Sequence, residues 1–219
     1  MSLGPRMSAA LREGLLAHGH RRRHAAGETI FSQGDAGDVL YVITRGRIEV
    51  SRSSMGGRRS VMNHMGAGEL LGEIATLDAG ERTADATAAT DVELLAISRA
   101  QLGAYLAANP EVMMDLIAEL CGQVREAVAL FEDQAQLGAR TRLARCILRI
   151  GDKWGVEDEE GFVTIPIPLS QSDFGELAGI SRENVNRHLR AMVSEGLVEH
   201  SQGAVTIRDA EALRDIGEV

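Results

Sequence analysis

Aromatic residues are scarce in this chain, at 3% of 219 residues. Its core must therefore be aliphatic. Cysteine is scarcer still. Cys121 and Cys146 stand too far apart for a disulfide framework or a metal cluster. Both fall in helical patterns and read as reduced core thiols of a cytosolic protein. Two cysteines exclude a four-cysteine iron–sulfur cluster. No apolar run approaches membrane-spanning length, and the N-terminus lacks the apolar stretch of a signal peptide. Met7 is a second candidate start, which leaves the origin of residues 1–6 open. These absences predict a cytoplasmic chain with no membrane partner. Global positive charge is missing too. The net charge is −9, so binding to nucleic acid must rest on a local basic patch and a motif. No nucleophile–base arrangement is visible, so no enzyme is expected and no catalytic residue is assigned.

What is present begins with an ordinary globular balance of 44% hydrophobic and 25% charged residues. From Gly27 to Ile97, short β-like runs alternate with glycine. Thr29–Phe31, Val39–Ile43 and Ile48–Val50 read as strands. Gln33–Gly37, Arg45–Arg47, Gly56-Gly57, Gly66–Gly68 and Ala79-Gly80 read as turns. Many short strands at regular spacing predict a barrel or sandwich. His18, His20 and His24 flank Arg21–Arg23. No carboxylate or cysteine completes a metal site there, so the segment reads as solvated basic surface. No cysteine–histidine pair in the strand-rich region supports haem.

The pattern changes at Ser98, where Ser98–Gln101 reads as a capped helix start. Asn109-Pro110 then opens a long helix, with Pro110 suited to its first position. Met113, Ile117, Leu120, Val124, Ala127 and Phe131 recur at alternating spacings of four and three. This is an a/d seam, which predicts a dimer coiled coil. The alternative is a helix packed on its own domain. Gly138 reads as a hinge, Thr141–Ile150 as an amphipathic helix and Asp152–Gly161 as an acidic loop. Val163–Ile167 alternates as an edge strand, where Pro166 and Pro168 are tolerable.

Residues 169–189 carry the most informative motif. Ser170 and Asp173 can cap a first helix reciprocally. Gly175 allows close approach of a second helix, Gly179 supplies the tight turn, and Ser181 caps the second helix. Phe174, Leu177, Ile180, Val185, Leu189 and Met192 form one small core. This is a helix-turn-helix by spacing and residue type. The second helix presents Arg182, Glu183, Asn186, Arg187 and Arg190. Arginine can grip a guanine edge with two hydrogen bonds, and a carboxylate can accept from cytosine. The alternative is a surface helix laced with ion pairs. Gly196–Ile207, with Gln202-Gly203 at its tip, reads as the hairpin of a wing.

A second motif lies at Leu70–Ala84. A turn opened by Gly72 exposes backbone N–H groups to an anion. Arg82 can pair a phosphate, and Glu73 can accept a sugar hydroxyl. The alternative is that Arg82 pairs with Glu73 or Glu81.

On these residues the chain resembles, end to end, the cyclic AMP receptor protein and fumarate-nitrate regulator family of transcription regulators. Ser181-Arg182-Glu183 with Arg187 is similar to that family's recognition helix. Gly72-Glu73 with Arg82-Thr83-Ala84 resembles its phosphate-binding cassette. The resemblance implies an α+β fold in three parts. Residues 1–108 form a double-stranded β-helix (a jelly-roll-like β-roll) that binds a cyclic nucleotide. Residues 109–137 form a dimerisation helix, and residues 138–219 a winged helix-turn-helix. It also implies a homodimer on palindromic, TGTGA-like double-stranded DNA. Arg182, Glu183 and Arg187 would read the bases, with Ser181 and Asn186 beside them. The implied allosteric ligand is cAMP or cGMP, and RNA polymerase is an implied partner. No metal, haem or iron–sulfur cofactor is implied. Ala127 and Val128 stand where the family places two hydroxyl residues against the purine. Neither can hydrogen-bond a base, and Thr83 resembles cassettes that prefer cGMP, so the purine stays open. Two further readings remain: the same fold answering another signal or constitutively active, and a nucleotide-binding module regulating a partner enzyme.

Overall fold

The computed structural model describes residues 8–53, 59–167, 169–201 and 204–217. The Gly56-Gly57 turn, Pro168 and the Gln202-Gly203 tip lie outside these described residues. The chain divides into two units, one reaching Val124 and the other starting at Arg125.

The first unit opens with α1 (Ala9–His18), β1 (His20–His24), β2 (Thr29–Phe31), β3 (Val39–Arg45), β4 (Arg47–Ser53) and β5 (Arg59–Gly66). It continues with β6 (Leu70–Leu71), α2 (Glu73–Asp78), β7 (Asp85–Ala88), β8 (Val92–Ser98) and α3 (Arg99–Ala108). The long α4 (Pro110–Gln136) begins here. Its strands form two four-stranded sheets, ordered β1-β8-β3-β6 and β2-β7-β4-β5, and neighbouring strands pair antiparallel.

The sheets differ in sequence because they differ in surroundings. Side chains alternate faces along a strand. On β3, Tyr41 and Ile43 join the core inside the roll. Leu40 and Val42 join a second core with Leu11 and Leu15 of α1, Leu102 and Leu106 of α3, and Val112 and Leu116 of α4. On β8, Leu94 and Ala96 face inward while Leu95 and Ile97 meet the helices. A sheet covered on both faces needs unbroken apolar runs, and these strands have them. On β7 the buried Ala86 and Ala88 alternate with the half-buried Asp85 and Thr87. The Ser98–Gln101 capping box forms as the sequence predicts.

Some expectations need correction. The basic segment at 20–24 is exposed, yet it is also strand β1, paired with β8 along its full length. Leu120, expected in the outward row, is half-buried and packs in part against the core of its own unit with Leu116. The large apolar residues left outside on α4 are Met113, Met114, Ile117, Val124, Val128 and Phe131, and Cys121 is exposed among them. Met114 is 63% exposed and Phe131 72%. Cys121 is therefore no core thiol. Cys146 is one, and complete burial pushes its thiol up to about 11.

The second unit holds the rest of α4, then α5 (Ala139–Trp154), β9 (Val156–Glu157), β10 (Val163–Ile165) and α6 (Gln171–Ala178). It ends with α7 (Arg182–Ser194), β11 (Val198–Ser201), β12 (Ala204–Ile207) and α8 (Ala210–Gly217). The sheet order is β11-β12-β10-β9. Here β10 is interior rather than an edge, because β9 forms within the expected acidic loop and pairs with it. Pro166 remains compatible because β10 ends before it, at Ile165. Phe174, Val185, Leu189 and Met192 share one core with Leu143, Ile147 and Ile150 of α5.

Candidate functional site

The β-roll holds an arginine in its interior. Arg82 is 4% exposed. Its Nη1 donates to the Gly72 carbonyl at 2.7 Å and its Nη2 to the Val39 carbonyl at 2.5 Å. The guanidinium lies 4.3 Å from the Phe31 ring centre, and Phe31 stacks on Tyr41. Gly72 adopts φ +80°, and a Cβ there would stand 2.1 Å from Arg82 Nη1. The dihedral calls for glycine, and any Cβ there would also displace the Arg82 guanidinium.

The alternative ion pair does not form. Arg82 gives its hydrogen bonds to carbonyls, and no ion pair with Glu73 or Glu81 occurs among the described residues. Two of the five guanidinium N–H groups are used. The buried Nε has no partner among the described residues. An unpaired buried donor is costly, and an anion would satisfy it. Burial lowers the Arg82 pKa, opposed by Tyr41 and Glu73. Glu73, 9% exposed, opens α2. Burial raises its carboxyl above the ordinary range, against a hydrogen bond from its own amide and the charge of Arg82. Ala84 is buried beside them and Thr83 is exposed. The residues present fit a phosphate and a sugar hydroxyl. Ala127 and Val128 lie exposed on α4, in the second unit.

The second unit carries the other candidate surface. Ser170 and Asp173 form the capping box that starts α6. Gly179 ends it in the left-handed region at φ +65°. The close approach at Gly175 is to the turn, since a Cβ there would meet the Ile180 carbonyl at 2.8 Å. Ser181 caps α7 through the Asn184 amide. One open concavity is lined by Gln171, Arg182, Glu183, Asn186, Arg187 and Arg190. The sequence-predicted reading residues are thus brought together. Arg182, Glu183 and Arg187 are exposed and Asn186 is half-buried.

Local contacts preset this face. Arg187 donates to the Asn184 Oδ1 and lies 3.3 Å from His188 Nε2. Glu183 is held below the usual carboxylate range by its own amide and the Ser181 hydroxyl. The group therefore favours its ionised, hydrogen-bond-accepting form. Burial, Arg187 and Arg140 lower the His188 imidazole. Sequence reasoning missed three contributors. The three-residue spacing of Asn184 and Arg187 could have revealed their pairing. No local signal marks Phe31 as the platform under Arg82, nor Gln171 as a neighbour of Asn186. Among the described residues, no cluster of three or more histidine, cysteine, aspartate or glutamate side chains could hold a metal ion, and no helix is long and apolar enough to cross a membrane.

Residues 21–109 match the family described as Cyclic nucleotide-binding domain, and residues 141–216 the Crp-like helix-turn-helix domain. The Cyclic AMP receptor protein of Thermus thermophilus is 35% identical over 201 residues, covering 92% of this chain and 89% of that protein. The chain belongs to the CRP/FNR family of transcription regulators. A CRP-like cAMP-activated global transcriptional regulator of Mycobacterium tuberculosis is 30% identical, covering 85% of this chain and 83% of that protein. The solved Thermus thermophilus catabolite activator protein is 33% identical with a TM-score of 0.54, covering 98% of both chains. As a CRP/FNR regulator, the chain is a DNA-binding transcription regulator carrying a cyclic nucleotide-binding domain.

Proposed function

We propose that this CRP/FNR regulator is a homodimer that binds palindromic, TGTGA-like DNA when its β-roll takes up cAMP or cGMP. The observation that carries this reading is Arg82, buried against Gly72 with an unpartnered Nε. Arg82 pairs the cyclic phosphate, Gly72, Thr83 and Ala84 line it, and Glu73 accepts from the ribose. Ala127 and Val128 cap the purine without reading it. The names of the Thermus and Mycobacterium relatives support cAMP as the physiological signal.

The working division is residues 1–108 for the ligand, 109–137 for the dimer and 138–219 for DNA. Two copies of α4 associate through the apolar row that includes Ile117, Val124 and Val128. A twofold dimer sets its recognition helices about 34 Å apart, so half-sites recur after one helical turn. Arg182, Glu183 and Arg187 read bases there, with Ser181 and Asn186 in support. RNA polymerase is the expected partner on DNA, and the cytoplasm the expected compartment.

Calorimetry of the purified protein with cAMP and cGMP tests the ligand. Binding of both is expected, with affinities within roughly 100-fold, about 2.7 kcal/mol. A site without polar contacts to the base discriminates purines poorly. Absence of binding favours a second reading, the same fold answering another signal or none. The observation on that side is that both terminal nitrogens of Arg82 already have carbonyl partners.

A further inference from the structure

The reading face contains one hydrogen bond that joins the two helices of the motif. Asn186 Nδ2 on α7 donates to Gln171 Oε1 on α6 at 3.0 Å. Both side chains are half-buried, and both line the concavity formed by the reading residues. This is the one side-chain hydrogen bond of either residue among the described residues. Gln171 is the first residue of α6, just after the Ser170 cap. Its backbone is fixed by that cap, so the acceptor it offers has a fixed origin.

In this arrangement the Asn186 amide turns its Nδ2 toward α6, where the Gln171 carbonyl oxygen accepts from it. An asparagine amide has two N–H donors and one carbonyl acceptor. Gln171 takes one donor, which leaves one N–H and Oδ1 side by side. That pair matches the major-groove edge of adenine, where N7 accepts and N6 donates. Without the Gln171 acceptor the amide could turn over, and the matching order would be lost.

We propose that Gln171 is a positioning residue for base reading. It orients Asn186 so that Asn186 selects adenine at a position not read by Arg182, Glu183 or Arg187. This rests on the DNA-reading assignment of α7 and adds a specificity position and a second helix to it.

The test is selection of bound sites from a random pool by the full-length protein, with cyclic nucleotide present. Wild type is compared with Asn186→Ala, Gln171→Met, Gln171→Glu and Arg187→Ala, with thermal melting to confirm that each variant folds. Asn186→Ala should lose about tenfold in preference for adenine at one position. Gln171→Met keeps the shape but removes the acceptor, and should relax the same position while the arginine-read positions hold. Gln171→Glu keeps the acceptor and should restore the preference, although its charge lowers affinity overall. If Gln171→Met weakens all sequences equally, Gln171 contacts only the phosphate backbone and the proposal is overturned. Unchanged preference in Asn186→Ala overturns it too. A failure of the parent reading looks different: Arg187→Ala would then alter no position either, or wild type would enrich no site.

Discussion

Arginine serves both candidate sites of this regulator, in opposite surroundings. Arg82 is sealed in the β-roll, its plane against Phe31 and its terminal nitrogens on two carbonyls. Arg182 and Arg187 stand in solvent on α7, where Arg187 is steadied by Asn184. The buried site spends its desolvation during folding, so its geometry is set before a ligand arrives. The exposed face keeps its solvation until DNA displaces it. The first arrangement suits a small ligand that must be gripped throughout. The second suits a long polyanion, whose affinity comes from many weak, salt-sensitive contacts. It also explains how a chain of net charge −9 can bind DNA, since the relevant field is local.

The largest expected effect falls on none of these arginines. Placing aspartate at Ile117 and Val124 buries like charges across the proposed seam and should cost several kcal/mol of dimer stability. Sedimentation should then show a monomer, with DNA binding lost and nucleotide binding largely kept. Because Leu120 packs into its own unit, Leu120→Ala should lower Tm more than it lowers dimer affinity. The reverse pattern would restore Leu120 to the seam.

Arg82→Ala comes next. Removing a charged partner from a desolvated site costs about 2–5 kcal/mol, so calorimetry should show at least tenfold weaker nucleotide. On the exposed face, Arg182→Ala or Arg187→Ala should cost about 1–3 kcal/mol and relax one base position each. Glu183→Ala should relax a cytosine position with less loss of affinity, because a carboxylate near phosphates is otherwise unfavourable. Raising salt should weaken DNA binding steeply and nucleotide binding little. Equal salt slopes would erase the distinction between the two sites.

The smallest effect is one of pH. Burial raises the Glu73 carboxyl above its ordinary value of 4.5 in the folded chain. The unfolded chain therefore ionises first as pH rises, and the stability held by the protonated form is lost through that window. Ligand-free wild type should lose Tm as pH climbs above 4.5 at this site, and Glu73→Gln should flatten that slope. An identical pH profile in the variant would show that Glu73 is not desolvated.

The helix-turn-helix was legible almost residue by residue, because its caps, glycines and small core are all local signals. Ser170, Gly179, Ser181 and the apolar set from Phe174 to Met192 occupy the places that spacing assigned them. At Leu70–Ala84 the sequence named candidate residues but not their bonds. That Arg82 binds the Gly72 and Val39 carbonyls depends on strands brought together from distant sequence. Strand β1 was hidden because five charged or titratable residues erase hydrophobic alternation, and pairing with β8 alone defines it. The expected row kept Ile117, Val124 and Phe131 but not Leu120, because a heptad count cannot tell which apolar residues the β-roll claims for itself. Leu120 was claimed in part, and Cys121 is exposed. Strand β9 was lost in the acidic loop, since two residues carry no pattern of their own.

On the proposed function, nucleotide bound at Arg82 governs DNA binding by α7. The affinity of the full-length protein for its own selected palindrome, with and without cAMP, in wild type and Arg82→Ala, measures that coupling. Wild type should bind DNA at least tenfold tighter with the nucleotide, and the variant should not respond. Wild type that binds cAMP yet holds the palindrome equally well without it would break the coupling. So would a variant that still responds.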